Sequence, residues 1–308
     1  MVSKGSDPRS AERLPTADLS HKVADAKKAH DRLSTAALDL KRAVEAQDFQ
    51  PPLLPEVAVR LTELSGTRFV SADGIEKIVA RDPAVAGKVL ARANSAHASR
   101  GVQIQSLRLA ITRLGVHEVR DLAFELVARS RLFTVAEHAA RMRELLDAAQ
   151  AAGVLARAVC SSVGLELDLA YLCGLLHDMG EAIILGLCSD AARQHRVAIP
   201  DELRQGLIER FHSAVGARVC EVWKLPAAIG DAVAFHHAPE RSLHPSQMAR
   251  VVAVADRLLE HAGIGVRARP ATPESEPIFY SLNLSPASVH RLLEQASQLQ
   301  VERQQRSG

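Results

Sequence analysis

The chain has 308 residues, with 38 Lys plus Arg against 36 Asp plus Glu and a formal net charge of +2. That balance argues against a generally basic nucleic-acid binder, and 3% aromatic residues leave few rings for base-stacking platforms. Hydrophobic residues make up 47% of the chain, enough for one large domain or two ordinary ones, and the bias towards Ala, Leu, Val and Arg favours helix.

Residues 1–18 are polar, carry Pro8 and Pro15 and lack an apolar h-region, so they read as a disordered leader and not as a signal peptide. From Leu19 to about residue 48, Val23, Ala26, Ala29 or His30, Leu33, Ala37, Leu40 and Val44 recur at helical spacing. This predicts an amphipathic helix with a thin apolar stripe. Pro51, Pro52 and Pro55 interrupt the pattern, and a folded domain is expected to start near residue 50. Glu56 to Leu64 reads as a short helix. Ser71 and Asp82 are N-cap candidates for the next two, with Pro83 at a first helical position where its missing N–H costs nothing. Ser106 caps Leu107 to Leu114, Gly115 closes that helix, and another runs through Val119, Leu122, Leu126 and Val127. Residues 50–134 thus predict a layer of about five short helices.

Residues 136–162 predict a long Ala-rich helix, and Leu165 to Leu187 a second apolar segment. Further helices are expected over 201–224, from Pro226 to His237, over 246–262 and from Pro286 to about Val301, with a loop over 263–277. No repeat and no alternating strand pattern stands out, so the fold class is all-α. No apolar run approaches the roughly 18 residues of a membrane span. Cys160, Cys173, Cys188 and Cys220 form no CxxC pair. They read as buried reduced thiols, which suits a cytoplasmic location.

Two ionisable residues, His177 and Asp178, follow an apolar Leu175-Leu176 face, and such a pair is costly to bury unless it is paired or metal-bound. His212, the doublet His236-His237, and Asp256 inside Val251–Leu258 are similar interruptions of apolar helices. Imidazoles with carboxylates suit Mn, Fe, Zn or Mg, and two such ions could clamp a phosphate diester. A buried polar network that fixes helix packing is the simpler expectation, and no cofactor is then required.

The motifs Pro51-Pro52-Leu53-Leu54-Pro55-Glu56-Val57, Arg81-Asp82-Pro83, Arg92-Ala93-Asn94-Ser95, Ser106 to Arg120, Gly174-Leu175-Leu176-His177-Asp178-Met179-Gly180, His212 to Gly216, Trp223 to Pro226 and His236-His237 occur in this order. In them residues 50–262 resemble the HDOD family, degenerate relatives of the bacterial HD and HD-GYP phosphohydrolases. The resemblance implies an N-terminal helical layer packed on a degenerate HD-type bundle, followed by a loop and helix over 263–308. It implies His177, Asp178, His212, His236, His237 and Asp256 as a partial metal site. The further His of active relatives aligns with Ala148. Glu181 stands where cyclic-dinucleotide phosphodiesterases carry Lys, and the GYP signature is absent. The implied role is a bacterial signal-transduction output or scaffold protein that acts through signalling proteins without catalysis. A homo-oligomer is compatible with that role; a specific nucleic-acid partner and a membrane span are not expected. The alternatives are a metal-dependent phosphohydrolase or phosphodiesterase using the partial site, with Arg81, Lys88, Arg92 and Arg120 meeting phosphate, and a nucleotide sensor without turnover.

Overall fold

A computed structural model of the chain describes residues 16–65, 71–95, 103–165, 168–265 and 276–307. Among these residues there are helices and turns and no strand, as the patterning predicts. The expected leader falls largely on residues 1–15, outside the described residues. The first helix, α1 (Thr16–Glu45), begins before Leu19. It buries Ala36, Leu40 and Val44, whereas Ala26, Ala29 and His30 of the expected stripe are exposed. Among its described side chains only those of the C-terminal half therefore lie on the body, and the side chain of Val23 is outside the described residues.

Four helices form the first layer: α2 (Glu56–Ser65), α3 (Ala72–Val79), α4 (Pro83–Ala93) and α5 (Leu107–Val127). Their starts follow local chemistry. Ser71 Oγ accepts from the Gly74 amide at 3.1 Å, and Asp82 Oδ1 accepts from the amides of Ala84 and Val85 at 3.0 and 3.1 Å. At Gly115 φ is 80°, so the two helices predicted around it join as one kinked element. Leu61, Ile75, Val79, Val89 and Ile111 fill the core of this layer.

The second core is a bundle of α6 (Ala139–Val163), α7 (Ala170–Leu176), α8 (Met179–His195), α9 (Asp201–Val222), α10 (Ala227–Phe235) and α11 (Met248–His261). A short α12 (Pro277–Tyr280) packs on α11, and α13 (Pro286–Ser307) lies on α6 and α11. Helix α1 runs along α8 and α9. Helix α5 serves both cores: Val119, Leu122 and Ala123 face the first, Phe124 and Val127 the second.

Two expectations need correction. The apolar segment 165–187 is not one unit, because the helix breaks at His177-Asp178 between α7 and α8. Across Ala170–His195 the mean hydropathy reaches 1.4, the level of a membrane span, although no single run looks long enough in the sequence. Of that window 78% is buried within the protein, so the bundle accounts for its apolar character. All four cysteines are free and buried, and burial pushes the thiols of Cys160 and Cys220 up to about 12.

Candidate metal centre

The break between α7 and α8 makes the site. Asp178 occupies the N-cap position of α8 with φ −102° and ψ 12°, but its side chain caps nothing and turns towards α9 and α10 instead. Adjacent helical residues would diverge by about 100°; the break lets His177 and Asp178 converge. Close packing holds the break in place. A Cβ on Gly180 would fall on the carbonyl oxygen of His212, so α8 meets α9 backbone to backbone. Gly174 meets the Ala152 carbonyl of α6 in the same way.

Three histidines share one orientation. His177 Nδ1 lies 2.7 Å from the Gly174 carbonyl, His212 Nδ1 2.7 Å from that of Ile208, and His236 Nδ1 2.9 Å from that of Val233. A carbonyl can only accept, so each Nδ1 carries a proton, and Nε2 is the ring atom that each histidine turns to the interior. His212 Nε2 is 3.3 Å from His236 Nε2 and 2.9 Å from His237 Nε2. Asp178 Oδ1 lies 3.3 Å from His236 Nε2 and 3.5 Å from His212 Nε2. On its other side Asp178 Oδ2 is 3.3 Å from His177 Nε2, which is 3.7 Å from Asp256 Oδ1.

All six residues singled out in the sequence therefore come together, in two groups that share Asp178. One is Asp178, His212, His236 and His237; the other is His177, Asp178 and Asp256; within each, the ligand atoms lie within 4.8 Å of one another. Ser213 Oγ, 3.2 Å from His212 Nε2, can supply one proton. Asp178 Oδ1 and His177 Nε2 nonetheless lack a well-formed hydrogen bond. The sequence favours a self-satisfied polar network here, and these two atoms are the ones such a network leaves least well paired. The two groups could each hold a cation, and the Nδ1 atoms are anchored to the backbone as those of metal-ligating histidines are.

The charges agree. Burial disfavours the Asp178 carboxylate, but His177 and His236 outweigh it and hold its pKa well below the usual range. Burial opposes ionisation of Asp256 too, and His177 overcomes it and lowers the carboxyl. His177 is raised, because Asp178 and Asp256 overcome the effect of burial on its cation. Burial, then His236 and His212, push His237 down to about 3, so that ring is neutral at pH 7. Ionised Asp178 and Asp256 together with imidazole nitrogens are a donor set suited to a borderline divalent ion.

The two halves differ in completeness. The first offers four donors from the protein. The second offers three beside a cavity of about 40 Å³, and Ala148 of α6 lines that cavity. Asp147, one residue earlier, faces Arg303 of α13 at 3.4 Å. Arg141 and Glu181, 2.5 Å apart, close one wall. This pair is not readable from sequence, since the two residues stand forty positions apart on different helices. Of the arginines and lysine considered for phosphate, none lines this cavity. Arg81 faces Glu56, Lys88 faces Glu125 and Arg92 faces Glu118. Arg120, the fourth of them, is fully buried against Asp121.

Comparison with known proteins adds the following. The sequence profile of the HDOD domain matches residues 52–239. An uncharacterised protein of Treponema pallidum (strain Nichols) is 23% identical over 252 residues, covering 78% of this chain, and the chain spans 44% of that protein's length. Three solved structures share the fold. A candidate metal-dependent phosphohydrolase from Shewanella amazonensis SB2B superposes with a TM-score of 0.59 at 20% identity, covering 86% of this chain and 99% of its own. An HDOD domain protein of unknown function from Geobacter sulfurreducens gives 0.60 at 20% identity, covering 89% and 93%. A candidate signal-transduction protein from Marinobacter aquaeolei VT8 gives 0.59 at 23% identity, covering 88% and 62%.

Proposed function

Since the chain belongs to the HDOD family, we propose that it is a signal-transduction output module. It acts through contacts with signalling proteins and carries a single-ion centre that is structural and not catalytic. One observation carries this reading: only the Asp178–His212–His236–His237 half has four donors, and the other half opens on a cavity of about 40 Å³. Four protein ligands describe a closed site, whereas hydrolytic sites keep a position for water or substrate. A cavity that small holds about one water, whereas small-molecule sites run from about 300 Å³ upwards. Asp178, His212, His236 and His237 would hold Zn, Fe or Mn and tie α8, α9 and α10 together. Partner contact is assigned to the N-terminal half of α1, where residues 25–32 are all exposed.

A second reading has one observation in its favour. Asp178 lies between both groups, as a carboxylate bridging two ions would, and two ions can clamp a phosphate ester. The reading is then a metal-dependent phosphohydrolase acting on a nucleotide or cyclic dinucleotide.

Elemental analysis of protein purified without chelator decides between them, joined to hydrolysis assays on nucleoside monophosphates and cyclic dinucleotides. We expect about one transition-metal ion per chain, lost in Asp178→Ala, and no hydrolysis above the metal-free control. About two ions per chain with hydrolysis that follows metal content would overturn the structural reading in favour of the phosphohydrolase.

A further inference from the structure

We propose that the cleft between the two helical cores is a binding site for a small organic anion, one with a phosphate or carboxylate head and an apolar body. This goes beyond the proposed function and involves none of the six residues of the metal centre. The cleft has a volume of about 450 Å³, and ligand sites favour such junctions between packed units. Helices α4 and α5 supply one wall, α6 and α7 the other, and Leu299 of α13 with Ile264 closes it.

The chemistry follows from which charges are already engaged. Glu125 accepts from Lys88 Nζ at 2.6 Å and from the hydroxyl of buried Tyr171 at 2.5 Å. Asp147 is held by Arg303, and Glu302 also has a partner. A cationic ligand would have to displace one of these contacts. The cations at the rim are less committed. Arg92 is exposed and reaches Glu118 through Nε at 2.9 Å, and Glu118 also receives Arg157 at 3.0 Å. Arg129 is exposed and has no ionic partner among the described residues. Arg92 and Arg129 both line the cleft, and each guanidinium is the fork that carboxylates and phosphates accept. Ala151, Val154, Ile264 and Leu299 give an apolar surface for the body of the ligand. Ile264 also lines the small cavity of the metal centre, so one side chain separates the two.

The test is isothermal titration of the full chain as purified, with metal content measured and matched between wild type and variants. The probes are AMP for a phosphate head, 4-phenylbutyrate for a carboxylate head and inorganic phosphate for a head without a body. We expect one of the two organic anions to bind saturably, about tenfold more tightly than inorganic phosphate, and the one that binds identifies the head. Arg129→Ala, at an exposed position where folding is not at risk, should weaken it at least about fivefold. Val154→Trp, which fills the cleft, should abolish it. Failure of all three probes to bind, equal binding of inorganic phosphate and the organic anions, or binding that both variants leave intact would overturn the proposal. The metal reading would stand in any of these cases.

Discussion

Ala148 decides what the His–Asp cluster can hold. Its methyl group faces the cavity that His177, Asp178 and Asp256 share, at a helical position from which an imidazole could complete a second four-donor group. Ala148→His is therefore expected to raise the metal content from about one ion per chain to about two, read by elemental analysis after dialysis against the free ion. An unchanged content would mean that α6 does not present this position to the ligands. The cluster itself was legible in the sequence, because ionisable residues inside apolar helices at Asp178, His212 and Asp256 demand a partner. Its wall was not legible: Arg141 and Glu181 look like ordinary helical surface charges until the fold brings them to 2.5 Å. The preference for a packing network over a cation also came from sequence. To it the structure adds a detail no sequence carries, namely that each Nδ1 is already spent on a carbonyl of its own turn.

At the scale of helices, what could be read depended on where the signal lay. Starts marked by a side-chain cap were placed correctly: Ser71 and Asp82 both accept amide bonds at the ends predicted for them. The break between α7 and α8 was hidden because Leu172 to Leu176 and Ala182 to Leu185 are apolar on both sides of it and no proline or serine marks it. Glycine contact, not capping, sets it, since Gly180 packs on the His212 backbone. Helix α1 shows what a stripe leaves open: its spacing predicts an amphipathic helix, but among its described side chains only those from Leu33 onwards meet the body. The cap at Asp82 gives a prediction for this scale. Asp82→Ala removes two amide acceptors at 3.0 and 3.1 Å and should lower stability by about 1 kcal/mol, read from the denaturant midpoint. A loss near zero would mean that Pro83 alone fixes the start of α4.

The whole molecule has two cores, and the question it raises is whether they are one cooperative unit. The polar junction on α5 argues that they are. Arg120 is fully buried and donates to Asp121 Oδ1 from Nε at 3.0 Å and from Nη2 at 2.7 Å; Nη2 also reaches the carbonyl of Asp168. Arg157 of α6 pairs with the same Asp121 and with Glu118, so one charged cluster ties α5 to α6 and to the start of α7. Sequence alone offered Arg120 as a phosphate contact, and its burial is not legible there because, beside its neighbour Asp121, it is held by a backbone carbonyl 48 residues away. Arg120→Met keeps the apolar volume but leaves Asp121 with half of its compensation. Removing one partner of a buried pair costs about 3–5 kcal/mol. Because Val119 and Phe124 on the same helix sit in different cores, that loss should reach both. Calorimetry should then show a single transition in the wild type and a single, lower one in Arg120→Met. Two transitions, with only the first-layer one displaced, would mean that α5 joins two independently folding units and that the cleft between them is free to open.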